Sequence, residues 1–292
     1  MKYGIHYGYW AENWEDDSIP LFHRAKQIGL DVLEISGRII CEMNNDELYR
    51  IKQASRQENI CIVSGMGLPA DKNIASLDPN IRARGIEYVK NAIVSAEKAG
   101  IHTIAGILYA SWFYDASKPV YKEETTLYSI ENMGLLAEFA AEHGVVLMME
   151  VCNRFATYML NCAQEAAAYV KAVGKDNVKI MLDTFHMNVE EDSFSDAIHI
   201  AGQQLGYIHL CEGNRKLPGT GRLPWKEIIR ALKEIRFEGP AVMECFITDE
   251  GSVGHDLKIW RKLSCDLEEV QKDLNLKRAL QYLKKIEDNE CQ

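Results

Sequence analysis

The chain has 292 residues, of which 47% are hydrophobic, 26% charged and 9% aromatic, with only 20 Gly and 7 Pro. That composition excludes disordered, collagen-like and small disulfide-stapled classes. With 33 basic against 43 acidic residues the net charge is −10, which offers no electrostatic footprint for nucleic acid or an anionic membrane.

Short apolar runs alternate with amphipathic stretches from the start. A first strand is expected at 3–6, within MKYGIHYGYW. A helix at 21–28 follows, stopped by Gly29, then a strand at 32–36. The helix at 46–58 opens on Asp46, a good N-cap, and leads to a strand at 60–65. Next come a helix at 79–99 before Gly100, a strand at 103–108, a helix at 127–143 before Gly144, and a strand at 145–152. A helix at 163–173 ends at Gly174, and a strand at 178–183 follows. The series closes with a helix at 195–205, a strand at 206–211, a helix at 225–235 and a strand at 241–246. The tail, about 265–290, reads as a charged amphipathic helix with Leu267, Val270, Leu274, Leu280 and Leu283 on its apolar stripe. It is expected to close the barrel's side or enter a subunit contact.

The strands are nearly continuous in Val, Ile and Met, as parallel strands buried on both faces are. Strict strand–helix alternation predicts an α/β parallel sheet. Eight units in about 250 residues predict a single (β/α)8 TIM barrel, one domain over 1–292. The doubly wound alternative needs a Gly-rich phosphate turn, but Gly65-Met66-Gly67 does not continue as GxGxxG and no GxxxxGK[ST] occurs. No apolar run approaches the ~20 residues that span a bilayer, and the N-terminus carries no signal-peptide pattern. The cysteines at 41, 61, 152, 162, 211, 245, 265 and 291 form no CxxC pair, so reduced thiols in a cytoplasmic protein are expected.

In such a barrel, chemistry sits where the strands end. The fifth strand reads VVLMMEVCNRF and carries Glu150. The sixth carries Asp183, with His186 expected in the loop beyond it. The seventh reads LGYIHLCEGNRK and carries His209, then Glu212 and Arg215; the eighth, GPAVMECF, carries Glu244. A lone acid at a strand end usually caps a helix or pairs with a base. Four potential ligands in register on adjacent strands are harder to explain so. Three carboxylates and one imidazole suit Mn²⁺, Co²⁺ or Mg²⁺, and burying the carboxylates together without a cation is costly. His186 and Arg215 read as donors to a polyol. Trp10, Trp14, Trp112 and Phe246 follow strand ends, where they serve core packing or form a wall for a sugar's C–H face. Cys152, Cys211 and Cys245 fall beside the ligands; they read as small buried hydrophobes, with a zinc–thiolate site as the alternative.

At these residues the sequence resembles the ketose 3-epimerases, the family of D-tagatose and D-psicose (D-allulose) 3-epimerases. The shared runs are MKYGIHYGYW, GMGLPADKNIASLDPNIR, EVCNRF, IMLDTFHMNVEEDSF, GNRKLPGTGRLPW, VMECF and KIWRKLS. The resemblance implies an isomerase on a xylose-isomerase-like barrel that inverts C3 of free ketoses. It implies that Glu150, Asp183, His209 and Glu244 bind Mn²⁺ or Co²⁺, that Glu150 and Glu244 are also the acid–base pair, and that His186 and Arg215 hold the O1–O2 end. It also implies a homodimer or homotetramer. His6, Trp112 and Phe246 are expected substrate contacts. Three positions depart from the family's pattern: Ala156 stands where a second Glu is typical, His6 where an aromatic is common, and Ile107 where a small residue is. They bear on substrate preference rather than on the metal. Competing readings are an aldose–ketose isomerase or phosphosugar epimerase, with GTGR at 219–222 as a weak phosphate motif, an AP endonuclease-like phosphodiesterase, and a non-catalytic sugar binder.

Overall fold

The computed structural model describes residues 1–112, 114–264 and 267–289. The strands are β1 (Lys2–His6), β2 (Val32–Ser36), β3 (Cys61–Gly65), β4 (Thr103–Gly106), β5 (Val146–Glu150), β6 (Val178–Asp183), β7 (Leu205–His209) and β8 (Pro240–Met243). They close into a parallel barrel in chain order, with β8 pairing back onto β1. Around them lie α1 (Ile19–Ile28), α2 (Gly37–Glu42), α3 (Asn45–Glu58), α4 (Pro79–Ala99), α5 (Lys122–Glu142), α6 (Ala163–Val173), α7 (Thr184–Glu190), α8 (Phe194–Ala201), α9 (Trp225–Glu234), α10 (Gly251–Asp256) and α11 (Glu269–Asn289). The expected TIM barrel is therefore the observed fold.

The helix ends follow local chemistry. Asn44 and Glu47 form a reciprocal capping box on α3. Gly29, Gly100 and Gly174 end α1, α4 and α6 in the left-handed region. Helix α5 starts five residues before the sequence reading placed it. Its first turn, Lys122-Glu123-Glu124-Thr125, is polar and carries no apolar period to read, although two glutamates suit a helix N-terminus. Helices α2, α7 and α10 are six or seven residues long, too short for periodicity. Residues 265, 266 and 290 of the expected tail helix lie outside the described residues, as do Cys265 and Cys291. The described part is α11, whose Leu276, Leu280, Leu283 and Ile286 are buried. Leu274 and Val270 are exposed, so the buried stripe is rotated from the expected one and runs through Leu276, Ala279, Leu280, Leu283 and Ile286.

Two apolar layers position the site. One large cluster fills the space between strands and helices. A smaller one (Val32, Val63, Ala105, Met148, Met181, Tyr207 and Val242) packs separately. Side chains in a strand alternate between faces, so these interior residues share their face with the residues two further on: Glu34, Gly65, Ile107, Glu150, Asp183, His209 and Glu244. A packed apolar floor thus lies one layer below a polar layer at the C-terminal mouth. β4 stops at Gly106 because φ there is 118° and a Cβ would lie 2.1 Å from the Met66 carbonyl oxygen.

Candidate active site

Asp183 and His209 are register partners on β6 and β7. Glu150 pairs with Met181, two positions earlier, as the stagger of a tilted barrel requires for residues at one level. Glu244 follows β8 directly. One ligand atom from each of Glu150, Asp183, His209 and Glu244 lies within 4.8 Å of every other. His209 Nδ1 is 3.9 Å from Glu150 Oε1, 3.9 Å from Asp183 Oδ2 and 3.4 Å from Glu244 Oε2. The last is close but lacks hydrogen-bond geometry. Among the described residues, His209 Nδ1 is the buried side-chain nitrogen or oxygen that has no hydrogen-bond partner. An unpartnered imidazole lone pair ringed by three carboxylates fits a divalent cation.

Asp183 reconciles two readings of one residue. Its Oδ1 accepts from the Phe185 amide at 2.7 Å and caps α7, while its Oδ2 turns to the cluster. His186 lies on α7 and not in a loop; the seven-residue helix hides in TFHMNVE. The Asn153 backbone N–H donates to His186 Nδ1 at 3.1 Å, so the neutral ring carries its proton on Nε2. Nε2 stands 3.7 Å from both Glu150 Oε1 and Asp183 Oδ2. Burial pushes the His186 pKa down to about 4, so the ring is a neutral donor at neutral pH. His6 is arranged alike: Gly8 N donates to its Nδ1 at 3.1 Å, and burial lowers its pKa.

Arg215 reaches back from the loop after β7 and adopts φ 62°. Its Nη1 donates to Asp183 Oδ2 at 2.6 Å and also to Glu244 Oε2, and its guanidinium lies 4.1 Å over the Phe185 ring. The glutamates are driven apart in acidity. Burial and the Glu244 charge raise Glu150. Burial would raise Glu244 too, but Arg215 and His209 hold it well below the usual range.

The cluster floors a cavity of about 740 Å³, lined also by His6, Trp14, Ile107, Trp112, Ala156 and Phe246. His6, Trp14 and Phe246 pack edge to face, with centroids 5.1–6.3 Å apart. Of the four expected aromatics, Trp10 lies elsewhere: it is buried and its indole donates to Asp273 on α11 at 2.9 Å. Cys152 lines the cavity, whereas Cys211 is 3.8 Å from Asp183 Oδ1 and Cys245 faces the Leu210 carbonyl. Burial pushes all three thiols up, against thiolate formation.

Sequence reading missed two residues. Glu34, inside β2, is 1% exposed, and its Oε2 accepts from Tyr207 and His209 Nε2, each at 2.6 Å. The signal was a carboxylate in the middle of the apolar run VLEIS. Glu212 was noted but not given a role. It is 1% exposed and accepts from Gly219 N, Arg222 N, Leu223 N and Trp225 Nε1 at 2.7–3.1 Å. The amides of the GTGR segment are thus partly spent on the protein's own carboxylate, which weakens the phosphate reading.

The family described as xylose isomerase-like TIM barrel matches residues 22–263. A D-psicose 3-epimerase of Agrobacterium fabrum is 40% identical over 97% of this chain and 98% of its own length. The chain belongs to the ketose 3-epimerases. A crystal structure of a family member, D-psicose 3-epimerase in the presence of D-fructose, superposes with a TM-score of 0.96 at 40% identity, covering 98% of this chain and 99% of that one. A second, D-psicose 3-epimerase with D-tagatose from Clostridium cellulolyticum H10, gives 0.96 at 38% identity with the same coverage. Among the described residues, no helix is long and apolar enough to cross a membrane.

Proposed function

We propose that this protein inverts C3 of free ketoses, of the D-psicose/D-fructose and D-tagatose/D-sorbose type, with Glu150 and Glu244 exchanging the proton. A ketose carries its carbonyl at C2, which acidifies the C3 hydrogen. Inversion needs a base on one face of C3 and an acid on the other, and two carboxyls rising from β5 and β8 on either side of His209 meet that need. The ionised glutamate takes the C3 proton, leaving a sugar enediolate, and the protonated one returns a proton to the opposite face. The pair ends with its protons exchanged, ready for the reverse epimer. Mn²⁺ or Co²⁺, with Mg²⁺ as a further option, held by Glu150, Asp183, His209 and Glu244, would stabilise the negative charge that develops on the substrate oxygens. His186 Nε2–H and Arg215 donate to the O1–O2 end, and His6 to a hydroxyl further along the sugar. Trp112 and Phe246 cover the C–H faces and keep water out.

The observation that carries the reading is the cluster of Glu150, Asp183, His209 and Glu244, whose ligand atoms lie within 4.8 Å of one another around an unpartnered His209 Nδ1. Incubating the Mn²⁺-loaded protein with D-fructose, D-psicose, D-tagatose and L-ribulose in D₂O tests it. The expected products are C3 epimers with deuterium at C3. Deuterium at C1 or C2 would point to aldose–ketose isomerisation, and sugar binding without exchange to a non-catalytic relative. We further read the protein as a one-domain barrel that assembles as a homodimer or homotetramer, a size that sedimentation resolves.

A further inference from the structure

We propose that Glu34 is a positioning residue that locks the His209 ring so that Nδ1, and not Nε2, faces the cation site. The inference rests on the reading of His209 as a metal ligand. An imidazole can ligate through either nitrogen, and the free nitrogen's hydrogen bond decides which one and fixes the ring's orientation. Here Nε2 donates to Glu34 Oε2 at 2.6 Å, across the barrel interior from β7 to β2. Tyr207, two residues before His209 on the same strand face, donates to that same oxygen at 2.6 Å from the layer below. Gly65 on β3 leaves room for the other oxygen: a Cβ there would lie 2.2 Å from Glu34 Oε1, so only glycine lets the carboxylate sit in this place. The carboxylate therefore has little freedom, and neither does the ring it grips.

The cost argues for a purpose. Glu34 adds a fourth carboxyl to an interior layer that already holds Glu150, Asp183 and Glu244. An apolar side chain would fill the same space without the desolvation penalty. What it could not do is accept the Nε2 proton. Turning the ring over would leave Nε2–H buried without a partner and remove Nδ1 from the carboxylates. A carboxylate behind a ligating imidazole also strengthens the ligand nitrogen as a base, and loss of such a partner typically weakens metal affinity about 10–100-fold.

The test measures Mn²⁺ dissociation constants by EPR of the free ion, on metal-stripped full-length protein. Glu34→Leu should bind Mn²⁺ about 10–100-fold more weakly than wild type, with a native circular dichroism spectrum and with epimerase turnover recovered at saturating Mn²⁺. That recovery separates lost positioning from general damage. Tyr207→Phe removes only the hydroxyl that steadies Glu34 and should shift affinity in the same direction by less. An unchanged constant in folded Glu34→Leu, which leaves the Nε2–H without an acceptor, overturns the proposal; should that variant not fold, an unchanged constant in Tyr207→Phe does so. A wild type that binds no divalent ion would instead sink the metal reading, and this inference with it.

Discussion

Glu212→Gln should loosen the loop that delivers Arg215. Oε1 of Glu212 accepts from Gly219 N and Trp225 Nε1, and Oε2 from Arg222 N and Leu223 N. A glutamine keeps one oxygen and turns the other into an NH₂ donor. Whichever way the amide flips, that donor meets two N–H groups. Two hydrogen bonds to a charged acceptor are lost, worth roughly 1.5–3 kcal/mol each. The backbone amides are half-buried, so water recovers part of the loss, and about 3 kcal/mol is the working figure. For a chain of this size that corresponds to a fall in Tm of roughly 6–12 °C. The loop also holds the Arg215 backbone, whose N–H donates to the Glu212 carbonyl at 2.8 Å and whose carbonyl accepts from Phe246 N at 3.0 Å. Turnover should therefore fall along with stability, and trypsin should cut the 213–224 segment faster. Thermal unfolding by calorimetry and steady-state epimerisation are the assays. A variant with unchanged Tm and unchanged kcat/KM would refute the role given to this carboxylate.

Glu150→Gln and Glu244→Gln should each lower C3–H exchange with D₂O by at least about 10²–10⁴-fold, the usual contribution of a positioned acid or base, read by NMR of the sugar. Chelation should lower Tm, and Mn²⁺ at a hundredfold excess over its dissociation constant should restore about 2.7 kcal/mol of stability, seen by differential scanning calorimetry; a Tm indifferent to the ion would contradict a folded-state site. Exchanging Ala156→Glu and His6→Tyr together should change relative kcat/KM among ketohexoses about 2- to 10-fold, the worth of one hydrogen bond gained or lost. Identical kinetics for every sugar would remove both residues from substrate recognition.

The three clustered acids and the imidazole were legible because each ends an apolar run, where a charge is costly, and because they recur at one strand–helix spacing. Glu34 escaped that logic. It lies within its strand, and its partners stand 173 and 175 residues away on β7, a pairing that only the closed barrel creates. His186 was found, but its helix was not, since seven residues hold fewer than two full turns. Trp10 and Trp14 look equivalent in YWAENW. Only the turn after β1 decides that Trp14 meets His6 and Phe246 while Trp10 faces α11. Glu212 lies three residues beyond the end of β7 and three before Arg215, and it binds N–H groups 7 to 13 residues further on, so its role as the anchor of a later loop could not be read from spacing.

The central claim is a cation site in which Glu150, Asp183 and Glu244 contribute oxygens and His209 contributes Nδ1. Anomalous diffraction at the manganese edge from Mn²⁺-grown crystals tests it directly. One strong peak is expected, bounded by those three carboxylates and His209 Nδ1, with Nε2 still on Glu34. Absence of the peak, or a histidine ring turned to present Nε2, would contradict it.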